Sequence, residues 1–334
     1  MRNTFEYHPA IGYRFIPGIK ARVRTKEGGY LIKGNNLGFR CNRDATDTRP
    51  KGKGRVLVFG DSSTAGDGVR NEHRYTDLLE TLVRDIEVFN FGLPGSGTDQ
   101  QHLIFETFAR DLGADLVILG VLVENIRRNV SRYRPYLDDS GETVLYAKPY
   151  YTLDYDGLKL HNQPVPRDPV AIEELAPGEQ PYVDLGGNAP MLRKLANRLG
   201  IKDMLLRYSN YQPVPDYDDP NTPAWQLMKA ILLDWITSVH CPVLLVPIPL
   251  YHFIEDLSDP SRYRARFTEL AAESGAYLCD PLDEMRNHPE EERRDFRFRT
   301  DPHLSPAGHA ALAQVLAPVV ANILGHDIVV ADEH

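Results

Sequence analysis

Five largely apolar runs that do not alternate with polar residues constrain this chain more than any other feature. They are RVLVFG (55–60), EVFNFG (87–92), DLVILGVLV (115–123), PVLLVPI (242–248) and AYLCD (276–280). Strands apolar on both faces belong in a sheet covered on both sides. Between them the spacing changes to helical. Tyr75, Leu78, Leu79, Leu82 and Val83 mark one helix within 72–85, and 99–113 reads as a second, closed by Gly113. Residues 225–240 and 260–275 read as two more. The last, 305–324, carries a stripe of Leu312, Val315, Leu316, Val319, Val320 and Ile323, with Ser305 as N-cap and Pro306 in the first helical position. Repeated strand–helix units of this kind predict an α/β fold with a five-stranded parallel sheet between helical layers.

Two regions fall outside the alternation. Residues 1–53 are rich in Gly, Arg and Lys, with turn residues at Gly28-Gly29 and Asn35-Asn36, and read as a small β-rich N-terminal appendage. Residues from about 128 to 222 hold many Tyr, Pro and Asp residues and read as an insertion. Asp139-Ser140-Gly141 and Asp156-Gly157 predict hairpin turns there, and APMLRKLANRL (189–199) a helix. The remainder, 54–334, forms one domain.

Charge and cysteine usage narrow the partners. A net charge of −9 argues against a nucleic-acid or anionic-membrane surface. Cys41, Cys241 and Cys279 are widely spaced and include no C-x-x-C pair, so neither a disulfide framework nor a zinc site is expected. The first residues lack the apolar core of a secretory signal, and no run reaches the roughly 18 unbroken apolar residues of a membrane span. A cytoplasmic protein is expected.

In an open parallel sheet, sites form past the carboxyl ends of the strands. Asp61-Ser62-Ser63-Thr64 follow the first strand, the glycine-rich GLPGSGTDQ the second, Glu124-Asn125 the third and Tyr251-His252 the fourth. Past the fifth, beyond an Arg- and Glu-rich loop, come Asp301-Pro302-His303. A serine nucleophile needs a histidine to take its proton and a carboxylate to hold that histidine. Ser62, His303 and Asp301 are residues of those types. A developing oxyanion needs donors, for which the N–H of Gly95, the side chain of Asn125 and the N–H of Ser62 are candidates.

These blocks resemble the conserved blocks of the SGNH (GDSL-type) hydrolases: FGDSSTAG (59–66), NFGLPGSG (90–97) and DPHLSPAGH (301–309), in the same order. The resemblance covers most of the chain from about residue 54, apart from the insertion. It implies a flavodoxin-like α/β/α fold and ester hydrolysis or acyl transfer, with Ser62 as nucleophile, Gly95 and Asn125 as oxyanion donors, and Asp301 and His303 completing a triad. The third block departs from the family's usual Asn-Asp. Ungapped, Glu124 takes the asparagine position; a shift of one restores Asn125. A carboxylate facing an oxyanion is repulsive, which favours Asn125. Were Glu124 the inward residue, the site would be tuned to another reaction or inactive.

Other readings of the same residues stand beside this one. Asp61 reads as a brace for the turn, Ser63 and Thr64 as cap and turn residues, His309 as a helix residue and His252 as a reserve base. Asp61, Asp301, His303 and His309 have the chemistry of a hydrolytic metal set, but the triad accounts for them without a metal, and no cofactor is expected. GSGTDQ lacks the lysine of a phosphate-binding loop. Arg127, Arg128, Arg132 and Arg134 form either a solvated face or a rim for an anionic or sugar substrate. The function expected is a serine esterase acting on a small acyl ester, with O-acetylated sugars suggested by family analogy alone. The alternatives are an O-acyltransferase using the same triad and a non-catalytic carbohydrate-binding relative.

Overall fold

The computed structural model describes residues 4–25, 28–137, 143–171, 174–175 and 211–329. The chain opens with two antiparallel hairpins, β1 (Phe5–His8) with β2 (Gly12–Phe15), and β3 (Lys20–Val23) with β4 (Tyr30–Lys33). After β4 the Asn35 side chain makes the expected turn, its Oδ1 accepting from the N–H groups of Leu37 and Phe39 at 3.0 Å each. That turn delivers Phe39 to the protein's main core, where its ring meets Phe91 at 5.1 Å and Phe108 at 5.2 Å. Ile11 and Cys41 join the same core.

The central sheet begins with β5 (Gly54–Gly60), β6 (Ile86–Asn90) and β7 (Leu116–Leu122). Two hairpins follow in the insertion, β8 (Tyr133–Leu137) with β9 (Thr143–Ala147), and β10 (Tyr150–Asp154) with β11 (Gly157–His161). The sheet resumes with β12 (Val243–Ile248) and β13 (Tyr277–Leu278). Its order is β13-β12-β7-β5-β6 and every pairing is parallel. The register sets Val58 beside Ile118 and Ile118 beside Leu244.

Alternate residues of these strands feed opposite faces. Leu57, Phe59, Val117, Leu119 and Leu245 enter one core, while Val56, Val58, Ile118, Leu244 and Val246 enter the other. Fully burying a side chain of this size contributes about 1.5–3 kcal/mol, so both faces need covering. On the β5 side of the chain come α1 (Ser62–Ala65), α2 (Tyr75–Leu82), α3 (Thr98–Ile104) and α4 (Asn125–Val130). Later come α5 (Pro223–Ser238), α6 (Tyr251–Ile254), α7 (Ser261–Ser274), α8 (Leu282–Arg286), α9 (Glu290–Asp295) and α10 (Pro306–Leu324). Leu103, Trp235 and Phe267 from α3, α5 and α7 pack on the first face; Leu79 and Leu316 from α2 and α10 pack on the second. The result is the expected three-layer α/β/α architecture.

Helix α10 starts as expected. Ser305 Oγ accepts from the Gly308 N–H at 3.3 Å and Pro306 fills the first turn. Among the described residues it is the one helix long and apolar enough to cross a membrane, but its Leu312, Leu316 and Val320 are fully buried against the sheet layer.

Three elements differ from expectation. The run 276–280 yields only a two-residue edge strand, with Tyr277 half exposed. The helix expected over 99–113 is α-helical only to Ile104; a π-helical turn, Phe105–Ala109, and a 3-10 turn, Arg110–Leu112, lead to Gly113 in the left-handed conformation. Helix α2 stops at Leu82 because Val83 turns extended and bridges to Ile328. The Asp156-Gly157 turn closes β10–β11 as expected, with Gly157 at φ +104°. The turn at Asp139-Ser140-Gly141 and the helix at 189–199 lie outside the described residues.

Candidate active site

The chain turns from β5 straight into α1, and Gly60 makes that turn possible. A Cβ on Gly60 would lie 2.0 Å from Thr64 Oγ1 and 2.7 Å from the Gly120 carbonyl oxygen. Asp61 caps α1, its Oδ1 accepting from the Ser63 N–H at 2.9 Å, while its Oδ2 pairs with Arg128 Nη1 at 2.6 Å. Asp61 is fully buried, so the arginine offsets a desolvated charge. It is the brace expected of it.

Ser62 follows as the first residue of α1. Its carbonyl accepts from the N–H groups of Gly66 and Asp67 at 2.9 and 3.0 Å, and its own N–H stands at a helix start, where amides have no intrahelical partner. Thr64 Oγ1 meets Tyr75 Oη at 2.9 Å, and the Tyr75 N–H donates to His309 Nδ1 at 3.3 Å. Burial pushes the His309 pKa down to about 3. His309 is therefore a neutral structural acceptor rather than a base.

Two buried arginines, which sequence reasoning did not single out, hold this turn from behind. Arg40, delivered by the loop after β4, donates Nη1 to the Gly66 carbonyl at 2.6 Å and Nη2 to the Val69 carbonyl at 2.7 Å. Arg74 donates to the Arg40 carbonyl at 2.6 Å and pairs with Asp77 at 2.7 Å. Burial, with the Arg74 charge beside it, pushes the Arg40 pKa down to about 10.

Asp301 and His303 are joined as the spacing suggested. Asp301 Oδ1 accepts the His303 N–H at 2.9 Å and also bonds His303 Nδ1. The loop is pinned on both sides, the Phe298 N–H donating to the His303 carbonyl at 3.2 Å and the Ser305 N–H to the Phe296 carbonyl at 2.9 Å. Burial lowers the His303 pKa, but the Asp301 hydrogen bond and the charges of Asp67, Asp301 and Asp61 outweigh it, so the net shift is upward. The His303 hydrogen bond holds the Asp301 carboxyl below its usual range. Burial raises Asp67, against the His303 charge. Asp67, five residues past Ser62, thus adds a further negative charge that acts on the imidazole, and sequence reasoning missed it.

Ser62, Asp301 and His303 line one cavity of about 430 Å³. No hydrogen bond joins Ser62 Oγ to His303 here; such contacts are often long before substrate binds. His252 also lines the cavity, stacked on Tyr251 at 3.8 Å.

The expected oxyanion donors separate. Gly95, at φ +75°, lies in a loop tied to β5 by the Leu93 N–H donating to the Gly60 carbonyl at 3.0 Å. It lines a neighbouring cavity of about 280 Å³, where a Cβ would come within 3.0 Å of the Arg134 guanidinium. Lys148, which also lines that cavity, forms a buried ion pair with Asp99. Asn125 lines neither cavity among the described residues; its amide is fully buried with neither Nδ2 nor Oδ1 hydrogen-bonded. Glu124 lines both cavities. The reason lies in α4, which starts at Asn125 with Glu124 as its cap. Successive residues there diverge by about 100°, so one faces the cavity and the other the interior.

The four arginines past β7 divide as well. Arg127 and Arg128 line the cavity that holds Ser62, and Arg128 and Arg134 the neighbouring one. Arg132 stacks over Tyr150 at 5.1 Å and Arg134 over Tyr13 at 4.0 Å. Among the described residues no three or more His, Cys, Asp or Glu side chains gather as a metal site.

A family model described as the GDSL-like lipase/acylhydrolase family matches residues 58–311. No curated protein matches the chain. Among solved structures it is similar to a member of the lipolytic G-D-S-L family from Veillonella parvula, at 12% identity over 79% of this chain and 97% of that one, TM-score 0.41. It is similar to a lipase/acylhydrolase from Enterococcus faecalis, at 14% identity over 83% and 100%, TM-score 0.41. A variant of an acetyl-xylooligosaccharide esterase from a Geobacillus species matches at 14% identity over 84% and 100%, TM-score 0.41.

Proposed function

Since the chain belongs to the GDSL-like lipase/acylhydrolase family, we propose that it is a serine-dependent ester hydrolase that removes a small acyl group, such as acetyl, from a carbohydrate or other small ester. One observation carries this reading: Ser62 and the Asp301-paired His303 line the same cavity, at the carboxyl end of a parallel sheet. Ser62 Oγ attacks the ester carbonyl as His303 takes its proton. Asp301 fixes the imidazole tautomer and stabilises the imidazolium. The tetrahedral oxyanion is received by the Ser62 N–H at the start of α1. The C–O bond to the alcohol then breaks, and His303 returns the proton to the leaving oxygen. Water, deprotonated by His303, releases the acid and restores Ser62.

One placement favours a second reading. Glu124, rather than the amide of Asn125, reaches the cavity, which suits a non-catalytic carbohydrate-binding relative. Release of p-nitrophenol from p-nitrophenyl acetate separates the two. Turnover by the wild type that disappears in Ser62→Ala, with a mass shift at Ser62 after organophosphonate labelling, supports the hydrolase. Equal release by both proteins sinks the triad.

A further inference from the structure

The cavity holding Ser62 and His303 carries more positive than negative side chains. Arg127, Arg128, Arg293, Arg297 and Arg299 line it, against Glu124 and Asp301. This runs counter to the chain's net charge of −9. Three guanidiniums have carboxylate partners: Arg127 with Asp216 at 3.0 Å, Arg128 with Asp61 at 2.6 Å, and Arg297 with Glu255 at 2.5 Å.

Arg293 and Arg299 are different. Arg293 spends Nη1 on the Ile254 carbonyl at 2.8 Å, and its Nε is buried with no hydrogen-bond partner. Arg299 stands exposed at the rim, with no acidic partner among the described residues. Asp301 is engaged by His303 and cannot neutralise either. The arginine wall is also fixed relative to the base: Arg297 bridges to Leu304, and Phe298 donates to the His303 carbonyl. Arg293 likewise has no acidic partner among the described residues, and a guanidinium without one at a cavity wall is a binding group for an oxyanion, which supplies a charge-assisted hydrogen bond. A neutral sugar hydroxyl returns less, and a cation is repelled.

We propose, resting on the serine-hydrolase reading, that the ester substrate carries a second group that is an oxyanion, received by Arg293 and Arg299 while Ser62 attacks the carbonyl. The test uses two matched pairs of esters. Mono-4-nitrophenyl succinate against 4-nitrophenyl butyrate places the charge on the acyl half. 4-Acetoxybenzoate against its methyl ester places it on the alcohol half. In at least one pair the anionic ester is expected to lead by about tenfold in kcat/KM. That lead should shrink as salt is raised and fall in Arg299→Gln, an exposed site whose loss spares the fold. The pair that shows it identifies the half carrying the charge. Neutral esters cleaved as fast as anionic ones in both pairs overturn the proposal and leave the hydrolase reading standing. If no ester is cleaved and Ser62 resists labelling, the hydrolase reading fails. Calorimetric titration of Ser62→Ala with the same four compounds then decides the anion site alone: tighter binding of the anionic members supports it, and equal binding removes it.

Discussion

Arg40 and Gly66 are joined by a 2.6 Å hydrogen bond from guanidinium to carbonyl. That bond ties the loop after β4 to the end of the helix that begins with Ser62. Arg40 is fully buried and serves the Val69 carbonyl and the Asn71 side chain as well. Arg40→Met should therefore orphan several buried acceptors and cost about 3–5 kcal/mol. Urea denaturation will show a lower midpoint with little change in slope. A midpoint within experimental error of the wild type would show that the brace is dispensable.

His303 carries an upward pKa shift: burial lowers it, but the Asp301 hydrogen bond and the nearby carboxylates outweigh burial. Only its neutral form accepts a proton from Ser62, so kcat/KM should climb with pH through a midpoint above the ordinary value of about 6.5. Removing the Asp67 charge in Asp67→Asn should move that midpoint to lower pH. The same shift has a stability counterpart. A raised folded-state pKa contributes stability that is full below the unfolded value and disappears as pH rises through the folded one.

His309 titrates in the opposite sense. Its folded pKa lies near about 3 because of burial, first of all, and the charge of Arg74. Between that value and about 6.5 the unfolded chain binds the extra proton, so acidification through this window destabilises the fold. Comparing melting curves of wild type and His309→Gln across the window should show a shallower acid decline in the variant. Parallel declines would mean that His309 is protonated in the folded state.

Asp61 has two roles that substitution can separate. Asp61→Asn keeps an oxygen for the Ser63 N–H but removes the charge facing Arg128. The loss of that pair should cost about 1–3 kcal/mol. Asp61→Ala also removes the cap and should cost about 1 kcal/mol more. Identical chemical-denaturation midpoints for the two variants would leave the cap without measurable effect.

Glu124 brings a carboxylate to the cavity wall, where the oxyanion would develop. Glu124→Gln should raise kcat/KM on a neutral ester by about tenfold. The Asn125 amide makes no hydrogen bond, so Asn125→Ala should leave the rate near that of the wild type. A loss of a hundredfold or more in Asn125→Ala would instead make Asn125 an oxyanion donor in the working enzyme.

Legibility in the sequence followed burial. Strands β5, β7 and β12 were readable because both of their faces are covered, which selects unbroken apolar runs. The run 276–280 was read too long because Tyr277 sits on an edge strand and is half exposed, so apolar character there did not mean ladder. The start of α10 was readable because Ser305 and Pro306 act through their immediate neighbours. Arg40 and Arg74 were not, since charged side chains are ordinarily at the surface, and their carbonyl partners leave no mark in composition. The choice between Glu124 and Asn125 depends on where α4 begins, a one-residue difference that a block comparison does not resolve.

The position of Ser305, two residues beyond His303 and capping α10, has a consequence for how activity is lost. The proposed base sits in the loop that leads into α10, and the same helix reaches the Ser62 turn through His309, whose Nδ1 accepts the N–H of Tyr75, the residue bonded to Thr64. In mild denaturant, catalysis should fade in step with amide exchange in α10, ahead of the loss of β5 and β7. Its working lifetime would then be set by how firmly α10 stays docked, rather than by the global stability of the sheet.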